Sequence, residues 1–186
     1  MKHIVKLHGL LVLMLLFSSF LYGGVKEDRQ EILEDSKKTL SMLYKAYPSS
    51  KNIIRGSYGY ATFSNIGVNL IFFSAEGGKG VAVNKRTGKK IYMKMASGGI
   101  GIGLGVKDFR AVFVFDNKKV FNSFVNKGWE ANAQADASAK SDNKGGSLEG
   151  AVTVQPGIKL YKMTKNGLAL QATIQGTKYW KDDDLN

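Results

Sequence analysis

The chain has 186 residues, 44% of them hydrophobic, and carries a formal net charge of +12 with no cysteine. Both histidines, His3 and His8, lie at the extreme N-terminus, so the remainder lacks the commonest general base, the thiol nucleophile and the usual transition-metal ligands. Ser-His-Asp catalysis, Cys-His catalysis and disulfides are thereby excluded from that remainder, and the sequence reads as a non-enzymatic protein with no catalytic residues, no metal and no cofactor.

Residues 1–24 read as a secretory signal peptide. Lys2 and Lys6 supply a basic start, Leu10 to Phe17 is unbroken and apolar, and Ser18, Ser19, Gly23 and Gly24 are small. The apolar run is short for a membrane span, and cleavage is expected after Gly23 or Gly24, with an uncleaved anchor as the alternative. Residues 25–186 are expected to form a single domain large enough to bury a real core. Without Lys2 and Lys6, 25 basic residues face 15 acidic ones, a net charge of +10. The bias is concentrated: Lys37 to Lys127 holds 16 Lys or Arg and three acids, Glu76, Asp108 and Asp116. For an exported, periplasmic protein the available polyanions are membrane headgroups and envelope polymers, and nucleic acid is not an expected partner.

The first element after the leader is a helix over Lys26–Tyr47. Ile32, Leu33, Leu40, Leu43, Tyr44 and Tyr47 recur on one stripe, acids come first and lysines last, and Pro48 with the serines after it ends the helix. The stripe fits a helix packed on the core; lysines and aromatics along its rear half also fit a membrane-surface helix. From Gly56 the pattern turns to strands. "YGYATF" and "GVNLIFF" are β-rich, and "GGKGVAVNKRTGKKIYMKM" predicts a hairpin turning near Thr87–Gly88.

In "ASGGIGIGLGV" Gly99, Gly101, Gly103 and Gly105 alternate with Ile100, Ile102, Leu104 and Val106. Period two is a strand signature, and neither a dinucleotide fingerprint nor a P-loop spacing occurs. The bare face should lie against other backbone, so Gly101→Val and Gly103→Val are expected to damage folding. "FRAVFVF" is apolar on both faces and predicts a central strand. "DNKKVFNSFVNKG" predicts a short helix capped by Asp116 or Asn117, with Val120, Phe121 and Phe124 inward and Gly128 as its stop. "WEANAQADASAK" alternates alanine with polar residues, and "LEGAVTVQ", "GIKLYKM" and "LALQATIQG" predict three further strands with a tight turn at Asn166–Gly167. The absence of a βαβ rhythm makes the fold class α+β: a curled antiparallel, barrel-like sheet of about eight strands, an N-terminal amphipathic helix and one short internal helix.

The order of these segments resembles the SYLF domain family. The resemblance rests on "GYATF" at 59–63, "EGGKGVAV" at 76–83, "ASGGIGIGLGV" at 96–106, "AVFVFDNKKVFNSF" at 111–124, "KGWEANA" at 127–133 and "NGLALQATIQGTK" at 166–178, and spans essentially residues 27–181. Ser64 stands where the family usually has proline, the lipidated cysteine of many bacterial members is missing, and the chain lacks the aromatic extension of eukaryotic members. The resemblance implies a lipid-binding domain that takes anionic phospholipid or a membrane surface as partner.

The candidate site in the sequence is the hairpin tip: Lys85, Arg86, Lys89 and Lys90 within six residues. It reads either as a solvated turn or as a headgroup clamp, worth about 1 kcal/mol per basic residue at an anionic surface. Lys37, Lys38 and Lys45 on the first helix are expected to add to it. Lys159, Lys162 and Lys165 are expected to lie on a different hairpin and to be inert. "DDDLN" at the end reads as a solvated tail, its adjoining acids lacking the spacing of a calcium loop. Trp129 and Trp180 fit interfacial anchors or core residues equally. A possible alternative partner for the basic face is another cell-envelope protein.

Overall fold

The computed structural model describes residues 2–65, 75–98, 109–131, 150–164, 167–168 and 176–186. Helix α1 (Lys2–Ala46) runs without interruption through the apolar leader and the expected Lys26–Tyr47 helix. Nothing in between breaks it, since Gly23 and Gly24 cost a helix only about 1 kcal/mol each. Among the described residues no helix is long and apolar enough to cross a membrane. After Pro48 a second helix, α2 (Ser50–Gly56), follows, where the sequence reading had only a stop.

The strands are β1 (Gly59–Ser64), β2 (Ala75–Asn84), β3 (Lys90–Gly98), β4 (Arg110–Phe115), β5 (Trp129–Glu130), β6 (Val152–Gln155), β7 (Ile158–Thr164), β8 (Gly167–Leu168) and β9 (Thr177–Lys181). They form one sheet in the order β5-β9-β3-β2-β1-β4-β7-β6, with β8 paired to β7 and every described pairing antiparallel. The architecture is therefore α+β with a curled sheet, as the sequence predicts. The curl brings the two ends of the strand path together: Trp129 Nε1 on β5 donates to Gln155 Oε1 on β6 at 3.2 Å. Strands β7 and β8 pair Thr164 with Gly167, so Gly167 is a strand residue rather than a turn residue, and residues 165–166 lie outside the described residues. The glycine strand at 99–108, "GVNLIFF", most of the alanine strand and residues 169–175 lie outside the described residues.

Strand β4 shows how the sheet is buried. All six of its residues are buried, and their alternation feeds two cores. Phe113 and Phe115 face an aromatic interior with Phe63, Tyr179 and, from α3 (Lys118–Lys127), Phe121 and Phe124. Val112 and Val114 face outward under Leu43 of α1, beside Tyr161 and Met163. Helix α1 crosses the strands: Ile32 packs with Val81 and Tyr92, Ser36 meets Thr62, Thr39 meets Arg110, and Leu43 covers β4 and β7. Leu43 is completely buried, a contribution of about 1.5–3 kcal/mol from that side chain. The stripe predicted for α1 is thus spent on the sheet. Asn117 caps α3 by accepting from the Val120 N–H at 3.1 Å.

Backbones also approach closely within the sheet. A methyl group on Gly80 would run into the Thr62 carbonyl oxygen and the Phe63 ring. Gly80→Ala is therefore expected to lower stability by at least about 1–3 kcal/mol, read from the urea midpoint, because the carbonyl cannot move aside. An unchanged midpoint would show that β1 and β2 are less tightly apposed than described.

Asp182 and Leu185 are docked while Asp183 and Asp184 stay exposed, which corrects in part the expectation of a solvated tail for "DDDLN". Asp182 is 2% exposed, lies 2.9 Å from Lys94 Nζ and caps a 3-10 turn (Asp183–Leu185) by accepting from the Asp184 N–H. Leu185 joins the Ile32–Tyr92 cluster, and Arg29 Nε donates to the Leu185 carbonyl at 2.9 Å. Asn186 bonds the Tyr92 backbone on both its N–H and C=O.

Alkaline pH should unfold this arrangement. Burial pushes the phenols of Tyr44, Tyr60 and Tyr179 upward, with the Tyr44 phenol also raising Tyr60, while Asp182 and Asp184 raise Lys94. A folded-state value raised above the unfolded one contributes stability that is complete below the unfolded value, about 10, and is lost as pH rises beyond it. The Tyr179 hydroxyl is buried without a hydrogen-bond partner among the described residues. Tyr179→Phe should therefore keep full stability at pH 7 and show a shallower alkaline fall in a thermal-melt series. A clear loss at neutral pH would mean that the hydroxyl is bonded.

Candidate functional site

The hairpin turn between β2 and β3 is built by Asn84. Its Oδ1 accepts from the N–H groups of Arg86 at 2.9 Å and Thr87 at 3.2 Å, an Asx-type turn, and Gly88 takes the left-handed conformation at φ +71. Its Nδ2 donates to the Tyr58 hydroxyl at 3.1 Å, and the Lys85 N–H donates to the Tyr58 carbonyl at 3.1 Å. The turn is thereby fixed to the segment joining α2 to β1. Arg86, Lys89 and Lys90 project from it and are exposed.

Lys85 does something different from its neighbours. Its ammonium donates to the Ile54 carbonyl at 2.6 Å and to the Arg55 carbonyl, closing the C-terminal end of α2. A cation there complements the negative end of the helix. Burial, then the charges of Arg86 and Arg55, pull its pKa down. The same contact brings Lys51 and Arg55 of α2, both exposed, beside the turn. Strand register puts further cations at this end of the sheet, since Gly59 pairs with both Asn84 and Phe115, and exposed Lys118 and Lys119 follow just after Phe115. Asp116 is the one acid in α2, the turn and the start of α3. The arrangement is a basic end of the sheet, able to hold several anionic oxygens at once.

The predicted site residues divide between this end and other places. Arg86, Lys89 and Lys90 are on it, and Lys85 organises it without offering a free ammonium. Lys45 is exposed in the last turn of α1, which packs against α2. Lys37 is exposed earlier on α1, and Lys38 shares a groove with Glu31, Glu34 and Asp35. No described contact joins Lys37 or Lys38 to the basic end. Lys51 and Arg55 were missed because their positions depend on a contact 30 residues away in sequence.

Lys159 and Lys162 lie on β7, in a different hairpin from the β2–β3 turn, as expected. Lys162 is 3% exposed and so is a structural residue, on the same face of β7 as Leu160, while Lys165 lies outside the described residues. The tryptophans separate: Trp129 packs against Phe113 at 5.3 Å between ring centres, whereas Trp180 is 40% exposed. Arg110, unremarked in the sequence, is buried under α1 and pairs with Asp35 at 2.9 Å.

No family model matches the chain. It is 37% identical over 160 residues to Beta cell expansion factor A of Aeromonas veronii, an alignment covering 86% of this chain. The aligned region spans 59% of that relative's length, so the relative extends well beyond what the two share. The relative's name describes an effect on beta cells and states no ligand.

Proposed function

We propose that the chain is a non-enzymatic, exported, SYLF-like protein that docks on anionic lipid headgroups through the basic end of its sheet. The observation that carries this reading is the assembly of Lys51 and Arg55 with Arg86, Lys89 and Lys90, five exposed cations on two elements tied together by Lys85. At about 1 kcal/mol for each basic residue near an anionic surface, the five give about 5 kcal/mol, an affinity of a few tenths of a millimolar. Lys118 and Lys119 lie at the same end and would add to it. The periplasmic side of a membrane supplies such a surface to a protein carrying a secretory leader.

Co-sedimentation with vesicles of anionic or purely zwitterionic lipid tests the reading. Binding is expected to the anionic vesicles alone and to weaken as salt rises, because surface charge is screened within about 8 Å at physiological ionic strength. Equal binding to both vesicle types, or none to either, overturns it. In the second case a protein partner in the envelope becomes the better reading of the same cations.

A further inference from the structure

Between α1 and strands β1 and β2 lies a cavity of about 130 Å³ whose character is opposite to that of the protein as a whole. Its mouth carries three acids, Glu31, Glu34 and Asp35, against two bases, Lys38 and Lys79. Two of these charges are already neutralised from outside the lining. Arg110 holds Asp35 at 2.9 Å, and Asp28 holds Lys79 at 2.8 Å. What remains is Glu31 and Glu34 against Lys38, an excess of one negative charge on a strongly basic chain.

Buried hydroxyl-bearing residues stand in the lining beside the apolar Ile32, Phe63 and Gly80. Ser36, Thr39, Thr62 and Ser64 line the cavity, and each is at least nine-tenths buried. They interrupt the packing of α1 between Ile32 on one side and Leu43 on the other. Ser36 Oγ accepts from the Thr62 hydroxyl at 2.8 Å, and Thr39 Oγ1 accepts from Arg110 at 2.5 Å. A hydroxyl oxygen accepts twice, so both keep acceptor capacity after these bonds.

We propose that this cavity binds a small primary ammonium group. Such a group carries three donors and no acceptor, matching the acceptor capacity of the Ser36 and Thr39 hydroxyls together with the surplus carboxylate of Glu31 and Glu34. Ile32 provides an apolar wall for one or two methylenes. A free amine or the ethanolamine headgroup of a lipid would present the same chemistry. The site is separate from the basic end, and the test with a soluble amine involves no vesicle, so its failure leaves the headgroup reading untouched.

The test is a titration of the intact protein with ethanolamine, followed by amide chemical shifts, with ethylene glycol as the uncharged control. Saturable shifts confined to residues 31–39, 62–64 and 79–80 are expected with ethanolamine and not with the glycol. Glu31→Gln together with Glu34→Gln, both exposed and tolerant of change, should weaken binding about tenfold, as loss of a charged hydrogen-bond partner does. Vesicles with phosphatidylethanolamine then distinguish the sources: matching shifts show that the headgroup reaches the cavity, and binding of the soluble amine alone assigns the site to a free amine. Absence of saturable shifts, equal response to the glycol, or no change in the double variant overturns the proposal.

Discussion

Asp35→Ala is expected to destabilise the protein by about 3–5 kcal/mol, more than Arg110→Met at the other end of the same ion pair. The asymmetry follows from where the two side chains sit. Arg110 is 7% exposed and Asp35 is 26% exposed. Removing the carboxylate leaves a guanidinium buried under α1 with Thr39 and the Asp35 carbonyl as its described partners, and an uncompensated buried charge is the costly case. Removing the guanidinium leaves a carboxylate that water can partly reach. The double variant Asp35→Leu with Arg110→Met should recover most of the loss, since apolar groups of similar volume often replace a buried pair at little cost. Urea unfolding of the three variants measures this directly. Equal losses in both single variants would mean that water reaches the guanidinium from the cavity beside it.

Replacing Lys51, Arg55, Arg86, Lys89 and Lys90 together with glutamine should remove about 5 kcal/mol of attraction to anionic vesicles, roughly a thousandfold or more in affinity. These five are exposed, so the fold should survive, and circular dichroism would verify that. The matched control is Lys127 and Lys178, also exposed but on the far end of α3 and on β9. Neutralising that pair should cost little. Lys162 cannot serve as a control, because a change at a buried lysine alters stability as well as charge. A loss that tracks the number of charges removed, whichever lysines are chosen, would mean that net charge acts rather than a site. Lys85→Met is informative beside these. It should release α2 from the turn and weaken binding beyond a single surface lysine, and Lys85→Arg should restore part of it.

The sheet was legible because "YGYATF" is β-rich, "FRAVFVF" is a short run apolar on both faces, "GIKLYKM" reads as a strand, and Thr87–Gly88 marks its own turn. Helix α3 was legible from an asparagine cap, three inward aromatic and aliphatic positions and a glycine stop. Helix α2 was not. Seven residues are too few to show a hydrophobic period, and the helix is held by Ile54 in the core and by Lys85 from another element. The terminal acids were read by charge, yet Asp182 and Asp184 stand in a cap relation and Leu185 supplies the apolar anchor. Lys162 could have been found: two residues from Leu160 on one strand, it shares that residue's face. The pairing of Arg110 with α1 left no local trace, because its partners are 71 and 75 positions away.

The contact between Arg29 and Leu185 joins residues 156 positions apart, and the bond from Asn186 to Tyr92 joins residues 94 apart. The front of α1 is therefore seated partly by the sheet, through Val81, Tyr92 and Lys79, and partly by residues 182–186. Contacts of such long sequence separation make folding slow, since the loop entropy is lost before the contacts repay it. A chain lacking residues 177–186 would leave β3 without its β9 neighbour and Arg29 without the Leu185 carbonyl.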